Sequence, residues 1–219
     1  MIKMCILDFD GTLSDTHDAI VWGVQKTFDY FNVERPPDEA IVSTIHAGLA
    51  MPDVIRRLLG QDCPLNQVTE WTNRYRAIYD EEALPRTQLF PGVEKVLEHM
   101  KQRGVGLAIV SNKGTTSVCR ALIKFKIDHL IDLVIGNQPH LAKKPDPQVY
   151  RDCVKPRFPQ VPPSDILVVG DTHVDIQFAR AIGARACWAI YGYGRPDICR
   201  SLDPEIAITA FEGLLQEVE

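Results

Sequence analysis

The chain has 219 residues, 45% of them hydrophobic and 24% charged, enough apolar material for one globular domain with an insertion or for two small ones. A net charge of −5 gives no hint of a nucleic-acid surface, and no apolar run approaches the ~20 residues that span a bilayer. The six cysteines are scattered with no C-x-x-C pair, so a reduced, cytoplasmic protein is expected rather than a disulfide or zinc scaffold.

The N-terminus enters the first predicted strand directly, which leaves no room for a signal peptide. That strand, Met4 to Leu7, delivers Asp8 and Asp10 into a Gly11-Thr12 turn. Residues two apart on a strand share a face, so two acids meet at one strand end and call for positive charge nearby. A helical pattern then runs from Ala19 to Phe31 and breaks at Pro36-Pro37. Further helical segments are predicted near Asp38–Ile45, Pro52–Leu59 and Asn66–Glu82, with no strand pattern among them.

From Phe90 the pattern changes. A helix over Val93–Arg103 stops at Gly104, and the strand Val105–Val110 ends at Ser111-Asn112. A helix near Thr115–Lys124, a strand near Leu133–Ile135 and a helix over Pro147–Val154 follow. The strand Ile166–Val169 ends at Gly170-Asp171, a helix near Val174–Ile182 stops at Gly183, and Ala186–Ile190 reads as another strand. Ile206–Val218 reads as a strand or turn followed by a short helix, and Tyr191–Pro196 as a structural loop. Alternating strands and helices predict an α/β fold, a Rossmann-like parallel sheet with helices on both faces. Residues 1–15 and 86–219 are expected to form this core, and 16–85 an inserted α-helical cap over the carboxyl ends of the strands.

Ligands bind beyond those ends in open α/β sheets. There the chain places Asp8, Asp10, Ser111, Asn112 and Asp171, with Lys143-Lys144-Pro145 in a further connection. Each alone is an ordinary turn, cap or surface residue. Together they make a set for phosphoryl transfer. Asp8 and Asp171 supply hard oxygen ligands for Mg²⁺, while Lys144, Ser111 and the Gly11-Thr12 backbone offer charge and donors to a phosphoryl group. One acid acts as nucleophile through an aspartyl-phosphate, and the other as general acid and base.

The four stretches Asp8-Phe9-Asp10-Gly11-Thr12-Leu13, Val110-Ser111-Asn112, Lys144-Pro145 and Gly170-Asp171-Thr172-His173-Val174-Asp175 resemble, in order and over essentially the whole chain, the haloacid dehalogenase-like hydrolases, in particular their phosphoglycolate phosphatase-like group. The resemblance implies Asp8 as nucleophile and metal ligand, and Asp10 as acid/base with its backbone carbonyl on the metal. It implies phosphoryl binding by Ser111 and Lys144 with Asn112 assisting, Asp171 as metal ligand, and Asp175 as a water-bridged ligand or a holder of Lys144. Asp10 and Thr12 look like the phosphatases of the family rather than its dehalogenases or mutases. The implied substrate is a small phosphorylated metabolite, 2-phosphoglycolate first. A sugar-phosphate mutase, a pyrophosphatase or nucleoside monophosphate phosphatase, and a non-catalytic binding protein stay open. In the cap, His46, Arg56 and Arg57 are the candidate readers of the leaving group, and Lys143 reads as surface or substrate entry. A monomer or homodimer without nucleic-acid or membrane partners is expected.

Overall fold

The structure is a computed structural model that describes residues 1–218. Strand β1 (Met4–Leu7) lies at the middle of a parallel sheet, between β4 (Gly106–Gly114) and β6 (Ile166–Gly170). Beyond β4 lies β5 (Leu133–Asn137); beyond β6 lie β7 (Arg185–Ala189) and β8 (Ile206–Ile208), in a six-stranded order β5-β4-β1-β6-β7-β8. The chain works outward from β1 to β5, then returns to the other side of β1. The direction of winding therefore reverses at β1, which puts the crevice of this sheet at the carboxyl ends of β4, β1 and β6.

These strands carry apolar side chains on both faces. Cys5 and Leu7 join Leu107, Ile109, Leu167 and Val169 in one buried cluster. Met4 and Ile6 join Ala108, Val110, Ile166 and Val168 in another on the opposite face. The two-residue period of a strand allots them. Helices α5 (Val93–Gln102) and α6 (Thr115–Phe125) cover the first face, and α7 (His173–Ile182) the second.

A helical insertion separates β1 from the rest of the sheet. It comprises α1 (His17–Tyr30), α2 (Asp38–His46), α3 (Met51–Leu59) and α4 (Leu65–Ile78), the last running on into a π-helical turn over Tyr79–Ala83. Phe31 stacks on Trp71 with ring centroids 4.3 Å apart, tying α1 to α4. At its base the chain enters through β2 (Ser14–Asp15) and leaves through β3 (Gln88–Leu89), which pair antiparallel. That ribbon was not legible in the sequence, since two residues carry no periodicity. The first apolar cluster runs without interruption from Leu7, Phe9 and Leu97 into Val24, Ile41, Ile55 and Trp71 of the insertion.

Elsewhere the structure adjusts the sequence reading. The helix expected over Pro147–Val154 is π-helical over Tyr150–Val154, and Lys155 N–H reaches back five residues to the Tyr150 carbonyl at 2.9 Å. A short helix α8 (Pro196–Ser201) follows the Tyr191–Pro196 loop, opened by Pro196, whose fixed φ suits the first helical turn. All six cysteines are free, with Cys5, Cys187 and Cys199 buried. Among the described residues no helix is long and apolar enough to cross a membrane.

Candidate active site

The register sets the geometry. Leu7 pairs with Ile109 on one side and Val169 on the other, so Asp8 leaves β1 level with Val110 and Gly170. Asp8 N–H still donates to the Val169 carbonyl at 2.9 Å. One residue further along the neighbouring strands stand Ser111 and Asp171. Asp8, Asp10, Ser111, Asn112 and Asp171 thus line one wall of a cavity of about 80 Å³.

Carboxylate oxygens of Asp8, Asp171 and Asp175 lie within 4.8 Å of one another, a group able to hold a metal ion. A single buried lysine faces them. Lys144 Nζ lies 2.5 Å from Asp175 Oδ1 and 3.0 Å from Asp8 Oδ1, with its side chain 2% exposed. Burial works against its charge, but Asp175 and Asp8 outweigh burial and hold the ammonium above the ordinary lysine range. The same burial raises Asp8 to about 6, against the pull of Lys144 and with a further push from Asp175 and Asp10. Asp171 is likewise raised, by burial first and then by the charges of Asp175 and Asp8. The carboxylates outnumber the lysine, and this excess negative charge is what a divalent cation relieves.

The carboxylate oxygens are held by different partners. Thr172 opens α7 with a capping box, in which Asp175 Oδ2 accepts the Thr172 N–H (3.1 Å) and hydroxyl (2.9 Å). With Oδ1 on Lys144, Asp175 is occupied on both sides. Asp171 Oδ2 accepts the Tyr193 N–H at 2.7 Å and Oδ1 the Thr12 hydroxyl at 3.3 Å. Asp8 Oδ1 is buried, with the Lys144 ammonium 3.0 Å away as its charge partner. Three clustered carboxylates beside a single ammonium suit a hard cation that prefers oxygen ligands.

Close backbone approach makes this possible. Gly11 has φ +75°, and a Cβ there would stand 2.3 Å from Asp171 Oδ2. Gly11→Ala combines left-handed strain with that collision. A loss of about 2 kcal/mol is expected, together with weaker activity as Asp171 is displaced. An unchanged urea midpoint and rate would show that the turn has room. Gly192 and Gly194 bring the 191–196 loop equally close, with hypothetical Cβ contacts of 2.2 Å to Asp171 Cβ and 2.1 Å to its carbonyl oxygen. That loop therefore frames the site: Trp188 Nε1 and Tyr193 N both donate to Asp171, and the Tyr193 hydroxyl holds Asp15 at 2.9 Å.

The insertion supplies the opposite wall, with Ile45, Leu49, Met51 and Val54 beside Tyr75, Arg76 and Tyr79. The loop after α2 reaches the site, since the Gly48 carbonyl accepts the Asn112 side-chain N–H at 2.9 Å. Asn112 also donates to the Lys144 carbonyl at 3.3 Å, joining the insertion to two core loops. His46 itself stands 6.4 Å from the His17 ring and does not line the cavity. Burial, with His17 and Arg195 nearby, keeps it below the ordinary histidine range. Arg56 and Arg57 lie on α3 and do not line the cavity, Arg56 half-buried and Arg57 exposed. Lys143 pairs with Asp53 of α3.

Sequence reasoning passed over Lys113. Its ammonium lies 3.1 Å from Asp10 Oδ1 and 3.8 Å from the centre of the Tyr79 ring, with the side chain 7% exposed. A signal was present: Lys113 directly follows Ser111-Asn112 at the end of the apolar run.

Comparisons with known proteins agree with this geometry. The haloacid dehalogenase-like hydrolase family pattern matches residues 5–189. The chain is similar to the phosphoglycolate phosphatase of Haemophilus influenzae, 32% identical over 97% of this chain and 96% of that one. It is also similar to the one from Mannheimia succiniciproducens, 30% identical over 99% and 98%. Its fold is that of a haloacid dehalogenase-like family protein from Streptococcus pneumoniae, with a TM-score of 0.83, 22% identity and coverage of 100% and 99%. A sheet that reverses at β1, acids at two adjacent strand ends and these kinships converge: the chain belongs to the haloacid dehalogenase-like hydrolases, in their phosphoglycolate phosphatase-like group, and is a phosphoric monoester hydrolase.

Proposed function

We propose that this protein is a Mg²⁺-dependent phosphatase that hydrolyses a small phosphomonoester, 2-phosphoglycolate first, through an aspartyl-phosphate on Asp8. The observation that carries the reading is the group Asp8, Asp171 and Asp175, three clustered carboxylates with one buried lysine against Asp8 and Asp175. Asp8, the Asp10 backbone carbonyl and Asp171 would hold the metal, with Asp175 fixing Lys144. When bound, Mg²⁺ supplies positive charge against these carboxylates and the phosphoryl oxygens.

The chain's own residues then divide the work. Ser111, Asn112 and the Gly11-Thr12 backbone receive the phosphoryl group, and Lys144 offsets its charge from behind Asp8. An Asp8 carboxylate oxygen attacks phosphorus while the bond to the leaving oxygen breaks, and Asp10 gives that oxygen a proton. Asp10 then takes a proton from water, which attacks the aspartyl-phosphate and releases phosphate and free Asp8. Lys113 holds the Asp10 carboxylate in place for both steps. The 16–85 insertion acts as the cap that covers the site.

The size of the cavity favours a small leaving group. About 80 Å³ is far below the roughly 300–1,000 Å³ of ordinary ligand pockets. Relatives that the chain resembles bear the name phosphoglycolate phosphatase. The test is phosphate release from 2-phosphoglycolate, pyrophosphate, nucleoside monophosphates and hexose phosphates, with Mg²⁺ and with chelator. The expected result is Mg²⁺-dependent release, greatest from 2-phosphoglycolate. Release unaffected by chelator would defeat the metal assignment, and a hexose 1-phosphate isomerised without free phosphate would favour a mutase.

A further inference from the structure

The insertion wall of the cavity holds a cation with no paired anion. Arg76 lines the cavity, and its Nε is buried without an acceptor. Its guanidinium lies along Gly114, where a Cβ would meet Nε at 3.2 Å, and one terminal nitrogen donates to Asn137 Oδ1 at 3.0 Å. No carboxylate pairs with it among the described residues. Asp80, a turn away, is already engaged by the Ser117 hydroxyl at 2.6 Å and by Arg120 at 3.2 Å. Three residues beyond Arg76, the Tyr79 hydroxyl is buried with no partner either, although the Tyr79 ring carries Lys113 on its face.

Two unsatisfied donor groups on one helical face of the same cavity are costly unless a ligand engages them. The other cations near the site are committed, Lys113 to Asp10 and Lys144 to Asp8 and Asp175. Around Arg76 and Tyr79 the wall is apolar, from Ile45, Leu49, Met51 and Val54. An anionic group on a short leaving group, reaching away from the phosphoryl end, completes this wall. We infer that Arg76 and Tyr79 form a carboxylate subsite that selects phosphate esters of small hydroxy acids. The assignment rests on the phosphatase reading above. It moves selectivity from the exposed end of α3, where Arg56 and Arg57 lie, to the junction of α4 and the π-helical turn.

A pair of esters that differ in one group tests it: 2-phosphoglycolate and 2-hydroxyethyl phosphate, in which a hydroxymethyl replaces the carboxylate. In the wild type, kcat/KM is expected to favour the acid by about 100-fold or more. Arg76→Met should cut that ratio about 100-fold, and Arg76→Lys should keep part of it. Tyr79→Phe should cut it about 10-fold, the worth of a hydrogen bond to a charged group. A wild-type ratio near one overturns the subsite whether or not any variant folds. So does an unchanged ratio in a folded Arg76→Met protein, or pyrophosphate hydrolysed better than 2-phosphoglycolate. A folded wild type that turns over neither ester with Mg²⁺ but releases phosphate from another member of the panel also overturns the subsite; release from none of them would instead defeat the proposed reaction.

Discussion

Replacing Asp8 by asparagine is expected to abolish turnover and, in metal-free buffer, to make the protein more stable. The loss follows from the nucleophile role proposed for Asp8 and should be on the order of 10⁴-fold or more in kcat. The gain in stability follows from burial. Asp8 is raised from an unfolded value of 3.8 to about 6 in the folded chain. The folded state therefore binds its proton more tightly than the unfolded state does. Stability contributed by this group falls as pH rises from about 4 to about 6, and the full deficit persists above that. Two pH units correspond to about 3 kcal/mol at most. Asn carries no charge to desolvate, so Asp8→Asn should unfold at higher urea than wild type at pH 8 with chelator. Near pH 4 the two should converge. Mg²⁺ should then raise the melting temperature of the wild type far more than that of the variant. A variant less stable than wild type at pH 8 would show that the Lys144 contact outweighs the cost of burying Asp8.

Lys144→Met should do the opposite to stability while being as damaging to activity. The ammonium is 2% exposed and is the cation in contact with both Asp8 and Asp175. Removing one partner from a buried ion group leaves uncompensated charge and costs about 3–5 kcal/mol. Urea unfolding at pH 8 should record that loss, and lowering the pH should recover part of it as the carboxylates take up protons. The double variant with Asp8→Asn should be less destabilised than the sum of the single changes, because one of the stranded charges is gone. Strict additivity would mean that the two side chains do not sense each other.

The two predictions rest on residues that the sequence already exposed, and the reason is geometric. Asp8, Ser111 and Asp171 each stand just past the end of an apolar run, and parallel pairing brings such ends together whatever else the chain does. Residues brought in by tertiary placement of the helices were not legible in that way. Arg76 and Tyr79 look like any polar and aromatic positions on an amphipathic helix until α4 is laid across the crevice. Tyr193 sits in a loop read as structural; its backbone proves to hold Asp171. The loop that follows the candidate reader His46 reaches the cavity with its Gly48 backbone and apolar side chains, while His46 turns to His17. Short elements were missed for a different reason: β2 and β3 have two residues each, too few for a period to show.

The ribbon formed by those two strands has a wider consequence. Ser14 faces Leu89 across one strand spacing, roughly 5 Å, so the long excursion between them starts and finishes at the same spot. The catalytic sheet is therefore blind to the length of what is spliced in there. Mutation can lengthen, shorten or exchange the excursion without dragging β1 out of register with β4 and β6. One demand survives every exchange: the replacement must bring an apolar underside to cover Phe9 and Leu13, which the present helices bury completely. Heredity can thus keep the reaction fixed while it experiments with the choice of molecule.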